Sequence, residues 1–166
     1  GTARVVFMID NEKVLKLAKN KKGLAQNEVE VTYSEDNYID DVIAKIYDKE
    51  ENNLWLEMEL ATKLTPSKFK SITGFNWKDY QKAIHNYGIT ASGKVYRLEP
   101  LDEKIMEQMW DDKFVYSMFN FIGSYEVPTG DLVRTSSYGV VKRDGQDTVV
   151  LIDYGLTNDV YDSYYS

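Results

Sequence analysis

The chain has 166 residues, a formal net charge of −7, no cysteine and one histidine. That length suits one compact domain, or two small lobes sharing an interface, with enough chain to bury a real core. The missing thiols exclude disulfides and thiol catalysis and make a zinc site improbable, and the acidic balance excludes a general nucleic-acid binder, whose affinity comes from neutralising phosphates with Lys and Arg.

Residues 4–9 are a β-branched and apolar run, Asp10-Asn11-Glu12-Lys13 is a turn, and residues 14–18 are a second such run, which together make a hairpin. Lys19-Asn20-Lys21-Lys22-Gly23 breaks the pattern as a solvated basic loop. Residues 24–33 then read as a helix, although Val29, Val31 and Thr32 lower its propensity. Residues 42–47 and 54–61 flank a polar turn at 48–53 as a second hairpin. In its second strand Leu54, Leu56, Met58 and Leu60 alternate with Trp55, Glu57 and Glu59, which marks one buried and one wetter face.

Residues 59–64 then form a hinge, and Thr65-Pro66 opens a short helix with Pro in the favoured first turn. Asn76 caps a helix over residues 77–86, and residues 88–100 are irregular or briefly extended. Across residues 101–125 the apolar positions Ile105, Met106, Met109, Trp110, Phe114, Val115, Met118, Phe119 and Ile122 fall at helical spacings. That pattern gives two helices, or one broken near Asp111-Asp112. Residues 128–137 are a polar loop, and residues 138–141 and 149–152 form a third hairpin about Arg143-Asp144-Gly145-Gln146. The order predicts an α+β fold of two lobes in one compact domain. Residues 1–61 form an antiparallel sheet with one helix, and residues 62–166 a reduced, mostly helical part carrying the hairpin. No apolar run approaches the ~20 residues that cross a bilayer, and no signal peptide opens the chain, so a soluble protein of the cytoplasm is expected.

Lys16 sits mid-strand among apolar residues, where a charge is costly unless it meets an anion; the other reading is a lysine on the strand's wet face. Glu28 and Glu30 both lie on the following helix, on different sides, and either can serve as partner. Asp153 follows the apolar Val150-Leu151-Ile152 and precedes Tyr154-Gly155, a strand end suited to Mg²⁺, which prefers oxygen ligands. Asp131, in Gly130-Asp131-Leu132, lies before the same hairpin, so both carboxylates should reach one edge. A buried lysine, acidic metal ligands and a carboxylate at the acceptor are what phosphoryl transfer uses. His85 falls on a surface helix without a Ser or Cys nucleophile motif, which excludes a hydrolytic triad.

These residues resemble the protein-kinase-like superfamily, which includes the aminoglycoside and choline phosphotransferases, and the resemblance runs nearly the whole chain. Gly1-Thr2-Ala3-Arg4-Val5-Val6 is similar to the tail of a glycine-rich phosphate loop, Lys16 to the strand lysine and Glu30 to its helix glutamate. Leu54-Trp55-Leu56-Glu57-Met58-Glu59-Leu60-Ala61 resembles the fifth strand and hinge. That implies Met58 as gatekeeper, with Glu59 and Ala61 offering backbone groups to adenine. Gly130-Asp131-Leu132 resembles the catalytic loop, with Asp131 as acceptor base. Ile152-Asp153-Tyr154-Gly155 resembles the metal-binding Asp-Phe-Gly element. The stretch from Val14 to Glu30 is also similar to short kinase-like proteins of large tailed bacteriophages, which implies host cytoplasm or virion as the setting.

The chain departs from the family where chemistry is done. Ser136 stands where a metal-ligating Asn is usual, Thr129 replaces the usual His, and only eleven residues follow Gly155, leaving little room for substrate-docking helices. The front of the glycine loop and the first strand are also missing. The resemblance therefore implies first a minimal pseudokinase-like binding or structural module that retains nucleotide. The alternative is an active ATP- and Mg²⁺-dependent phosphotransferase. In that case Lys16 lies on the phosphates, Glu30 orients it, Asp153 and Ser136 hold metal, and Asp131 activates a hydroxyl. A protein partner would dock on Tyr161-Asp162-Ser163-Tyr164-Tyr165-Ser166 unless that ending packs as a tail.

Overall fold

The computed structural model describes residues 2–125 and 127–155. Gly1, expected to belong to the tail of a phosphate loop, and the aromatic ending at 161–166 lie outside the described residues. β1 (Arg4–Met8) and β2 (Lys13–Ala18) pair antiparallel. Asp10 closes their turn by accepting from the N–H groups of Glu12 and Lys13 at 2.7 and 2.9 Å.

The helix that follows, α1 (Lys21–Ser34), begins earlier than its composition suggests, because Asn20 caps it by accepting from Gly23 N–H at 3.1 Å. Lys21, Lys22 and Gly23 are thus its first turn and not a loop. Gly23 is the residue that fits there: a Cβ would stand 2.1 Å from the Ala3 carbonyl oxygen, so its absence lets β1 pass directly against the helix.

β3 (Ile46–Lys49) and β4 (Trp55–Glu59) complete a four-stranded antiparallel sheet in the order β1-β2-β4-β3. The predicted alternation holds within β4, where Leu56 and Met58 are buried and Trp55, Glu57 and Glu59 half-buried, but not beyond its ends, where Leu54 is exposed and Leu60 half-buried. The strand expected at residues 42–47 is divided between two partners. Its start reaches across the molecule, where Ala44 N–H donates to Leu151 O at 2.8 Å and Leu151 N–H to Val42 O at 2.7 Å.

The expected hinge is also anchored. β5 (Thr62–Lys63) pairs with β6 (Tyr138–Arg143), which pairs in turn with β7 (Gln146–Leu151) in a second, three-stranded sheet. Between them run α2 (Pro66–Thr73), α3 (Trp77–Ser92), α4 (Glu103–Asp111), α5 (Lys113–Tyr125) and α6 (Thr129–Leu132). The helical break falls where expected: Asp112 is extended and accepts from Val115 N–H at 3.0 Å, which starts α5. Gly88 does not end α3. It lies inside the helix where Thr129 packs, and a Cβ would come 2.4 Å from the Thr129 methyl; the helix stops at Gly93, with φ +68°. Residues 128–137, expected as loop, hold α6 and a 3-10 turn at Thr135–Ser137.

The fold is α+β. Its interior is aromatic: Phe69 meets Trp77 edge-on at 5.0 Å, and the Tyr80 and Tyr138 hydroxyls are hydrogen-bonded at 2.8 Å. Tyr138 also donates to Leu132 O at 2.6 Å, which fixes α6 against the second sheet. Among the described residues, no helix is long and apolar enough to cross a membrane.

Candidate functional site

Lys16 is buried on β2, and its ammonium donates to both Glu30 oxygens, at 3.0 and 3.2 Å, and to the Ile152 carbonyl. Capping at Asn20 sets the helix phase that puts Glu30 against it, so Glu30 is the partner while Glu28 is exposed. Burial draws the Lys16 ammonium below the usual lysine range, and Glu30 partly restores it. For Glu30 burial pushes upward, but the charges of Lys16 and Arg4 outweigh it and hold the carboxyl below the usual range.

Arg4 is the charged residue of this cluster that sequence reasoning missed. It is 8% exposed, and its guanidinium reaches Glu30 at 2.9 Å, Asn27 Oδ1 at 3.2 Å and Asp153 Oδ1 at 2.7 Å. A signal for it exists, since Arg4 opens an apolar run just as Lys16 interrupts one. Asn27, fully buried, is held from its other end by donating to Asn53 O at 2.8 Å.

The Asp153-Tyr154-Gly155 turn is placed from below. Tyr154 points inward, is 1% exposed, and donates from its hydroxyl to Ala44 O at 2.9 Å and from its N–H to Glu30 at 3.3 Å. Gly155 passes against α1, where a Cβ would stand 2.5 Å from Gln26 O. With Tyr154 inward and Gly155 pressed on the helix, Asp153 turns outward, its side chain 60% exposed.

These groups border a cavity of about 500 Å³ between the two sheets. Val14, Ala44, Met58 and Ala61 supply an apolar side, and Arg4, Lys16, Ser136 and Asp153 a polar one. Glu59 also lines it, but its carboxylate is engaged by Arg143 at 2.8 Å and by Lys45 N–H at 3.1 Å. The Glu59 N–H donates to Lys45 O at 2.9 Å. Among the described residues the Ala61 N–H makes no hydrogen bond. Asp131 is not in the wall. It stands on α6, 3.8 Å from Arg134, and burial raises its carboxyl, with Arg134 pulling down and the Asp153 charge pushing up.

Magnesium usually takes one or two carboxylates together with substrate phosphates. Here one Asp153 oxygen is already bound by Arg4, Ser136 is exposed and neutral, and among the described residues no group of three or more His, Asp or Glu is gathered to hold an ion. These residues as arranged do not fit a divalent cation. A second cavity, of about 650 Å³, is bordered by His85, Tyr96 and Thr129 and shares no wall residue with the first. No family model matches the sequence, and no curated protein matches it.

Proposed function

We propose that the chain is a nucleotide-binding module on a reduced kinase-like scaffold, holding an adenine nucleotide without transferring its phosphoryl group. The observation that carries this is the buried Lys16–Glu30 pair, whose lysine borders a cavity that the Met58 to Ala61 edge also lines. A buried lysine keeps its charge when a carboxylate holds it, and it then offers that charge to a phosphate. The Ala61 N–H, without a partner among the described residues, suits the acceptor edge of a base. Transfer is disfavoured by the absence of Asp131 from the wall and by the neutral Ser136. One observation favours the alternative of an active phosphotransferase: the raised Asp131 carboxyl suits a general base.

The test is a thermal-shift titration with ATP, with and without magnesium, on the parent and on Lys16→Met checked for folding by circular dichroism. Stabilisation of the parent that vanishes in Lys16→Met supports the reading. No stabilisation under either condition overturns it. Transfer of γ-labelled phosphate by the parent, abolished in Asp131→Ala, would establish the phosphotransferase instead.

A further inference from the structure

Four charges meet at the polar side of the cavity: Arg4 and Lys16, Glu30 and Asp153. They are not held equally. Glu30 is fully buried between both cations, and removing it would strand two buried positive groups. Asp153 pairs with Arg4 from the outside and is 60% exposed, so water already solvates most of that carboxylate. In Asp153, among the described residues, Arg4 therefore has an acceptor it can exchange at little cost. Its planar fork of N–H donors matches phosphate oxygens in two-point geometry.

We propose that Arg4 is the phosphate-holding residue of this cavity, that a nucleoside polyphosphate takes the guanidinium over from Asp153, and that this binding needs no divalent cation. The proposal rests on the nucleotide reading above and adds the identity of the counter-charge. A divalent ion recruited by Asp153 has to compete with a guanidinium already at 2.7 Å. A phosphate competes instead for the guanidinium and releases Asp153 to solvent. Arg4 and Lys16, both anchored on Glu30, then supply the positive charge that a metal would otherwise bring. Asp153 on this account opposes binding, which is the reverse of a metal ligand's behaviour.

The experiment is calorimetric titration of ADP into the full chain, in EDTA and again in excess magnesium, for the parent, Asp153→Asn and Arg4→Lys. The parent should bind ADP in EDTA within about threefold of its affinity in magnesium, and Asp153→Asn should bind up to about fivefold tighter in EDTA, the size expected for removing an exposed competing ion pair. Arg4→Lys should bind about tenfold or more weaker, since a single ammonium replaces the two-point fork. Binding that requires magnesium, or weaker binding by Asp153→Asn, overturns the proposal and leaves the nucleotide reading standing. Absence of ADP binding in both buffers overturns both. Should Arg4→Lys fail to fold, the direction of the Asp153→Asn change decides alone, because that side chain is largely in water.

Discussion

Arg4, Lys16 and Glu30 come from β1, β2 and α1 and are buried, with the Glu30 carboxylate within 3.0 Å of both cations, whereas Asp131 and Ser136 stand on a four-residue helix and an exposed turn. Arg4 and Lys16 line the cavity and, with the buried Glu30 that anchors both, make up its floor; the second group belongs to its rim, Ser136 in the wall and Asp131 outside it. Only the floor is over-determined. Each of its members is fixed by at least two partners in separate parts of the chain. Among the described residues the Asp131 carboxylate has a single long contact, with Arg134, its neighbour one turn on. A binding floor tolerates no slack in its counter-charges, and a catalytic base needs comparable fixing at the acceptor. The contrast is why binding is a stronger reading here than transfer.

The contrast is broken most directly at Glu30. Glu30→Gln keeps the shape and removes the anion, leaving Arg4 and Lys16 buried around a neutral amide. The expected loss is about 3–5 kcal/mol in urea denaturation, the usual cost of removing one partner from a buried ionic network. Acid should act on the same group. The folded carboxyl is held below its unfolded value, so its stabilisation is fully present above the unfolded pKa and is lost as pH falls through the depressed folded one. The parent should therefore lose stability more steeply than Glu30→Gln on acidification below the ordinary glutamate range. Equal slopes would mean that the floor is no tighter than the rim.

How much of this is legible from residues alone follows the same division. Period-2 alternation exposes β4 and its inward Leu56 and Met58, and the apolar neighbours of Lys16 mark it as a lysine needing a partner. Alternation and composition are local, and they survive folding. The choice between Glu28 and Glu30 is not legible, because it depends on helix phase, and the phase is set by Asn20, whose lysine neighbours disguise it as part of a basic loop. Arg4 is harder to read for a different reason: its place at the head of an apolar run is a faint signal, and its partner Asp153 lies 149 positions away. Gly88 misleads in the opposite direction, reading as a helix end when its missing side chain makes room for Thr129. Residues 42–47 read as one strand because nothing in their composition shows that Val42 and Ala44 bond to Leu151 while Ile46 pairs with Met58.

A smaller effect sharpens the comparison by moving the floor without touching its charges. Gly23→Ala places a methyl 2.1 Å from the Ala3 carbonyl, one residue from Arg4, and that neighbour is backbone with no rotamer to escape through. The expected cost is about 1–3 kcal/mol by thermal or urea unfolding, with ADP affinity falling as β1 is pushed off α1. If stability drops while affinity holds, Arg4 keeps its place independently of that contact, and β1 interlocks with α1 less tightly than their close approach implies.

The smallest effect belongs to the rim, and its smallness carries the information. Asp131→Asn removes a carboxylate whose nearest cation is 3.8 Å away and which burial already pushes toward the neutral form, so little favourable charge interaction is lost. Stability should change by no more than about 0.5 kcal/mol, as for other partly exposed positions without a close partner. ADP affinity should be unchanged or slightly higher, because the Asp131 and Asp153 charges repel each other and any phosphate brought to Arg4. A loss of affinity comparable to that of Arg4→Lys would place Asp131 among the ligand contacts. The rim would then grip the bound molecule as firmly as the floor does, and the grounds for setting catalysis below binding would go with it.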